Sequence, residues 1–179
     1  AGAQAASGSI LLFLHADTRL PERFDEHVRR ALRQPRVVAG AFRLRIDGPE
    51  PALRLIEWGT YFRSRYLQMP YGDQALFLKA PIFHALGGFP DLPIMDDFVL
   101  VRRLRRLGRI VILPVPVVTS SRRWQELGVW RTTWINQKVI AGYYLGVAPR
   151  RLAQWYHAGR KGSPSRPRST ENGLQNEMN

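Results

Sequence analysis

The hydrophobic and polar positions of the chain predict short buried strands that alternate with amphipathic helices. Five apolar residues, Ile10 to Leu14, run without a break and end at a polar cluster over residues 15–18. Such a run is typical of a strand buried on both faces of an α/β sheet. The segment 37–46 ends in an alternation that is typical of a half-buried strand, with Phe42, Leu44 and Ile46 on one side and Arg43, Arg45 and Asp47 on the other. The pattern therefore predicts the α/β class.

Four longer segments carry apolar residues at helical spacing. They cover residues 21–33, 52–67, 96–107 and 127–145. The segment 52–67 is rich in aromatic residues, which we expect in the core or in the wall of a pocket. Between the last two helices, prolines interrupt residues 110–118, which predicts an edge or irregular strand, and SSRRW at 120–124 predicts a loop.

Length and composition limit the classes of protein that fit. The 179 residues suffice for one domain with a substantial core, since 45% of them are hydrophobic. Cysteine is absent, which excludes disulfides and thiolate metal sites and suits the cytoplasm. Apolar residues become rare near the C-terminus, so we expect a folded domain over 1–160 and a disordered basic and polar tail over 161–179.

The formal net charge of +13 comes mainly from arginine. It suits nucleic acid, an anionic membrane or a phosphate-bearing substrate, and it also suits an ordinary arginine-rich surface. Nucleic acid is the less favoured partner, because the arginine-rich run 102–109 keeps leucines in helical register and reads as a solvated helix face. The helix at 127–145, with Trp130 and Trp134, suits either packing onto the domain or a peripheral membrane contact.

Four motifs in a fixed order carry a resemblance to a known family. They are FLHADT at 13–18, GDQ at 72–74, GGFP at 87–90 and RRW at 122–124, with an Asp-Asp pair at 96–97. Their order and spacing resemble the second half of a bacterial family 2 glycosyltransferase with a GT-A fold. The resemblance implies a GT-A-like mixed sheet flanked by helices. It also leads us to expect a partial domain, without the family's N-terminal nucleotide-binding strands and inactive by itself.

The same resemblance implies a reaction and roles for four residues. The reaction is inverting transfer of a sugar from a nucleotide-diphosphate donor to an acceptor hydroxyl, with Mn²⁺ or Mg²⁺ as cofactor. Asp17 matches the last acid of the family's Asp-x-Asp motif and is the expected metal ligand. His15 replaces the first acid of that motif, and we expect it to contact the nucleotide. Asp97 is the expected general base and Asp96 its orienting neighbour, although an acid pair at a helix start is also a common cap.

Two further motifs imply contacts with substrate. The residues concerned are Gly72, Asp73, Gln74, Arg123 and Trp124. The first three match the part of the family that lines the donor-sugar and acceptor side. The last two resemble the end of a Gln-x-x-Arg-Trp motif, but Ser120 replaces its glutamine, so processivity is not implied. An arginine there is suited to neutralising a diphosphate, and a tryptophan to stacking on a sugar ring.

Two other classes of function stay open at this point. One is a basic nucleic-acid-binding domain, and the other is a membrane-associated scaffold without catalysis. For the transferase, we expect a location in the cytoplasm, including the inner face of the membrane.

Overall fold

A computed structural model describes residues 2–161, apart from the side chains of residues 123 and 159–161. The strands are β1 (Ile10–Leu12), β2 (Thr18–Arg19), β3 (Val37–Asp47), β4 (Phe77–Lys79) and β5 (Arg109–Ser120). The helices are α1 (Gly2–Ala5), α2 (Phe24–Leu32), α3 (Pro51–Tyr66), α4 (Ala80–Ala85), α5 (Asp96–Leu107), α6 (Arg122–Leu127), α7 (Val129–Tyr144) and α8 (Pro149–Lys161), with a 3₁₀ turn at Gly72–Gln74. The predicted α/β class is confirmed. Beyond its first residue, the predicted tail lies outside the described residues.

The five strands form one mixed sheet in the order β1-β4-β3-β5-β2. All neighbours are antiparallel except β3 and β5, which are parallel. Within residues 2–161, β1 pairs with β4 alone and lies at an edge of the sheet, so the expected burial of this strand on both faces is only partly met. Ile10 and Leu12 are only half-buried and Leu14 is exposed, because no second strand of the described chain adjoins them.

The sheet separates two hydrophobic clusters, because successive side chains of a strand point to opposite faces. On one face, Leu78 and Ile110 pack with the buried residues of α5. On the other face, Phe77 and Val111 pack with the buried residues of α2. Helices therefore cover both faces of the sheet. The position of a residue along its strand determines which of the two helical layers its side chain contacts.

Strand β3 confirms its predicted alternation: Phe42, Leu44 and Ile46 are buried between exposed charged residues. The prolines of β5 produce the predicted irregularity, since the register shifts between the pairs Phe42–Leu113 and Arg43–Pro116. The alternative that β5 is an edge strand is wrong, because it lies between β3 and β2. A bulge lets the prolines, which lack an N–H group, sit inside the sheet.

Two helix boundaries differ from the sequence prediction. Helix α2 begins at Phe24 rather than Pro21, after Arg23 adopts a left-handed conformation with φ of 53°. The predicted loop at 120–124 instead contributes to α6, which Gly128, with φ of 83°, separates from α7. In both places a residue with positive φ breaks the helical path. Glycine at position 128 signals such a break, whereas the arginine at position 23 does not.

The aromatic residues of α3 contradict the expectation that they lie in the core. Trp58, Phe62 and Tyr66 are exposed. The face that α3 turns inward carries Leu53 and three polar residues, Glu57, Thr60 and Ser64. Polar groups take the buried face because the strand backbone and neighbouring side chains satisfy their hydrogen bonds. Every helix of the described chain is too short or too polar to cross a bilayer.

Candidate functional site

A cleft of about 750 Å³ opens where the chain leaves β1, where the 3₁₀ turn lies and where α5 begins. It brings together five of the residues singled out from the sequence. They are His15, Gly72, Asp73, Asp96 and Asp97. Helices α7 and α8 complete the wall with Asn136, Ile140 and Tyr156, which the sequence reasoning missed because no motif marks them.

The Asp97 carboxylate is held by two backbone groups. The N–H of Gly72 donates to Oδ2 at 2.6 Å, and the N–H of Phe98 donates to Oδ1 at 2.6 Å. The residue at the helix cap is Met95, with φ of 68° and no side-chain cap bond, so neither acid is the N-cap. Oδ1 of Asp97 accepts a hydrogen bond from its own helix, while Oδ2 links α5 to the 3₁₀ turn at Gly72. The carboxylate is therefore fixed in position, with lone pairs left on both oxygens.

Gly72 is the point where the imidazole and the carboxylate meet. A methyl group placed on its Cα would lie 3.0 Å from His15 Nε2 and 3.1 Å from Asp97 Oδ2. These contacts are tighter than a carbon normally makes with either atom, so the position suits a residue without a side chain. Three segments far apart in sequence thus converge at one place.

Gly72→Ala should therefore disturb the cleft more than the fold. We expect the added methyl group to move His15 or Asp97 by a few tenths of an ångström. Activity should fall about tenfold, since small misplacements of reacting groups are costly. Steady-state kinetics and thermal melting of the variant would check this. Gly8→Ala is the matched control, because the methyl group it adds meets only the Ile10 carbonyl oxygen, at an ordinary contact distance of 3.4 Å. A variant with full activity would contradict a tight approach at Gly72.

Tyr71 lies beside this point, and the sequence reasoning missed it. Partial burial raises the pKa of its phenol above the ordinary range, the Arg63 charge opposes that rise, and Asp97 and Asp73 add to it. The Arg63 guanidinium stacks 3.4 Å from the centre of the Tyr71 ring. Tyr71 is therefore a neutral hydrogen-bond donor at physiological pH. Its place directly before the GDQ motif was the available signal.

Gln74 has a structural position rather than a place in the cleft. Its side chain is fully buried, its Oε1 accepts from the Ser64 hydroxyl at 2.7 Å, and its Nε2 donates to the Phe42 carbonyl at 3.0 Å. The same Oε1 accepts from the N–H of Tyr71 at 3.3 Å. Gln74 thus ties the turn that carries Gly72 and Asp73 to α3 and β3.

The remaining candidate residues do not line this cleft, although Trp124 lines a second groove that adjoins it. Asp17 lines a separate depression of about 290 Å³ together with Asp47, whose carboxylate is 3.2 Å from Arg19. Trp124 packs with the Leu44–Ile46–Leu53 cluster. The side chain of Arg123 lies outside the described residues. No group of three or more histidine, aspartate or glutamate side chains suited to a metal ion occurs in the described part of the chain.

A second groove, of about 460 Å³, adjoins the cleft between α3 and α7. Tyr71, Asp73, Asn136 and Ile140 line both spaces, so the two form one continuous depression. The groove leads from the Asp97 region toward Leu55 and Tyr144, which are exposed. A bound molecule is therefore able to extend from polar surroundings at Asp97 into apolar surroundings between the helices.

No protein-family model matches the chain, and no curated protein matches it either. The geometry of the cleft is therefore the basis for assigning a function.

Proposed function

We propose that the protein is a GT-A-type glycosyltransferase that transfers a sugar from a nucleotide-diphosphate donor to an acceptor hydroxyl with inversion. The observation that carries this proposal is the meeting of His15, Gly72 and Asp97 at one cleft, with the carboxylate fixed by two backbone N–H groups. An ordinary surface carboxylate is not held from two separate segments. A fixed carboxylate in a cleft suits proton abstraction from a bound hydroxyl.

Asp97 acts as the general base in this proposal. The acceptor oxygen attacks the anomeric carbon on the face opposite the diphosphate, and the new C–O bond forms as the bond to the diphosphate breaks. The hydroxyl proton passes to a carboxylate oxygen of Asp97, and the diphosphate leaves with the bonding electron pair. The two backbone N–H groups hold the carboxylate in the orientation that accepts the proton.

The other residues of the cleft bind and orient the substrates. Asp73 and Asp96 offer carboxylate oxygens that accept hydrogen bonds from sugar hydroxyls. His15 and the neutral Tyr71 hydroxyl have N–H and O–H groups suited to phosphate oxygens, where negative charge develops as the diphosphate leaves. Asn136 of α7 adds an amide at the far wall.

The described residues do not fit a preformed protein cage for a divalent cation. Asp17, the expected ligand, lies outside the cleft, and its neighbour Asp47 is engaged by Arg19. Mg²⁺ and Mn²⁺ need few protein carboxylates when phosphate oxygens and water complete the shell. Metal dependence therefore enters the proposal through the donor diphosphate, and the variant Asp17→Asn tests whether Asp17 adds a ligand. The steps given for Asp97 do not depend on the metal.

The test of this function is to measure the binding of nucleotide sugars to the intact enzyme, with and without Mn²⁺, by thermal shift and calorimetry. A matching donor at 100 times its Kd should add about 2.7 kcal/mol to the free energy of unfolding and raise the Tm. Asp17→Asn should remove the part of this shift that depends on Mn²⁺. Asp25→Asn, an exposed acid of α2, is the matched control.

Two outcomes would count against the proposal. If no nucleotide sugar shifts the Tm in either condition, donor binding by this chain is wrong. If Asp17→Asn titrates Mn²⁺ like the parent protein, Asp17 is not the metal ligand, and the transferase assignment then rests on the cleft alone.

A further inference from the structure

Helix α3 carries a row of apolar side chains on the face turned away from the sheet. The row, here called the α3 stripe, consists of Leu55, Trp58, Phe62 and Tyr66, with exposed fractions of 53%, 64%, 49% and 66%. Their spacing of three or four residues puts them on one side of the helix. A contiguous exposed row of this kind is uncommon on soluble monomers and marks an interaction surface.

The opposite face of α3 fixes the stripe outward. Leu53 is fully buried, and Glu57 accepts a hydrogen bond from the N–H of Ile46 at 2.6 Å. Ser64 donates to Gln74 at 2.7 Å. Rotation of α3 to hide the stripe would break these buried hydrogen bonds and expose Leu53, so the apolar row stays on the surface.

Helix α7 flanks the same groove. Residues of both α3 and α7 line the groove of about 460 Å³. On α7, Trp130 and Trp134 are exposed by 66% and 72%. Trp134 lies one helical turn from Gln137, which lines the groove. Exposed aromatic residues therefore lie on both helices that flank the groove.

The charges around the stripe are positive. The Arg43 guanidinium lies 5.2 Å from the centre of the Tyr61 ring, and that of Arg65 lies 5.9 Å from the Tyr66 ring. The acid of α3, Glu57, is buried and lies 2.8 Å from Arg54. Helix α7 has no aspartate or glutamate. Arginines beside aromatic rings, with no exposed acid on either helix, complement an anionic surface.

We propose that this surface binds anionic lipid bilayers, with the α3 stripe and the α7 tryptophans in the bilayer interface and Arg43 and Arg65 at the headgroups. Tryptophan and tyrosine favour this region, because they have an apolar body and a polar tip. Leucine and phenylalanine enter the boundary with the acyl chains. This proposal does not depend on the transferase activity.

A nucleic-acid platform fits the geometry less well. Trp58 and Phe62 stack on each other at 6.0 Å and 26°, and Phe62 lies 4.9 Å from the Tyr66 ring. These rings turn toward one another, whereas a stacking platform offers its ring faces to bases. Leu55, at the end of the stripe, has no ring to stack. A lipid interface accepts rings and aliphatic chains in any orientation.

A second copy of the chain also fits less well. A symmetric dimer places the same surface of each protomer against the other. The contact would gather arginines of both copies, with no exposed acid of α3 or α7 to offset their charge, which is unfavourable in a partly desolvated contact. Anionic lipid removes this repulsion and covers the apolar row at the same time.

The experiment is co-sedimentation of the full chain with phosphatidylcholine vesicles that contain or lack phosphatidylglycerol. We expect binding to the anionic vesicles that weakens with salt. The double variant Trp58→Ser/Phe62→Ser should bind at least about tenfold more weakly, because it loses interfacial aromatic area. Leu107→Ser, an exposed leucine on α5, is the matched control and should bind like the parent protein.

A charge variant and a depth measurement complete the test. Arg43→Gln/Arg65→Gln should weaken binding to anionic vesicles more than Arg30→Gln/Arg33→Gln, which removes the same charge from the C-terminal end of α2 and its C-cap. Brominated lipids should quench tryptophan fluorescence less in Trp58→Phe than in the parent protein. Equal binding by the aromatic double variant and the parent protein would overturn the proposal. So would binding of single-stranded nucleic acid, or a dimer in light scattering, that the same double variant abolishes.

Discussion

In the intact enzyme, Asp97→Asn should lower turnover about 10²-fold or more, while the Kd of the donor stays nearly unchanged. The asparagine keeps the size of the side chain but has no charge and accepts no proton at the pH of the reaction. Its oxygen is still able to accept one of the two backbone N–H groups, from Gly72 or Phe98. The variant therefore removes the proposed base and leaves most of the cleft in place. Single-turnover kinetics with a bound donor, beside donor calorimetry, would measure the two effects separately.

A matched control separates chemistry from charge. Asp91→Asn removes one carboxylate from an exposed position in the loop before α5, and it should leave turnover within about twofold of the parent value, as surface changes do. If Asp97→Asn instead weakens donor binding and turnover of the bound donor survives, Asp97 belongs to donor binding. The role of general base would then be wrong.

Gln74→Ala should destabilise the protein by about 3 kcal/mol, because it removes the hydrogen-bond partner of several buried or partly buried polar groups. The groups are the Ser64 hydroxyl, the Phe42 carbonyl and the Tyr71 N–H. For a chain of this length such a loss lowers the Tm by roughly 10 °C. The turn that carries Gly72 and Asp73 should also loosen, so donor affinity should fall even where the variant is folded.

The control for Gln74 is Gln125→Ala, which removes an exposed glutamine from α6. It should melt within about 2 °C of the parent protein. Should Gln74→Ala melt like the control, the buried amide would not be what fixes the turn. Urea unfolding of Gln74→Ala and the parent protein, analysed with the same m-value, would then give the difference in their free energies of unfolding without heating.

Local pattern was enough for the elements whose faces differ along the chain. Strand β3 shows an apolar–charged alternation, and α5 carries leucines at helical spacing. In each element the apolar positions mark the buried side, so the bounds of the element and its buried residues follow from the sequence. The prolines of β5 likewise signalled an irregular strand. The same reasoning failed for the aromatic residues of α3. Residue type predicts that aromatic side chains take the buried face of a helix, but here polar side chains take that face, because they have hydrogen-bond partners there. Glu57 and Ser64 have such partners on β3 and in the 3₁₀ turn.

The composition of the cleft depends both on the sequence motifs and on tertiary packing. The motifs named His15, Gly72 and Asp97 in advance, since their residue types and order carry the family resemblance. Their approach to one another depends on how β1, the 3₁₀ turn and α5 pack, and no sequence spacing encodes that distance. Packing also sent Gln74 into the core and Asp17 to a separate depression, although both belong to motifs. A motif specifies the available chemical groups, whereas hydrogen-bond partners contributed by distant segments determine which groups face the same space.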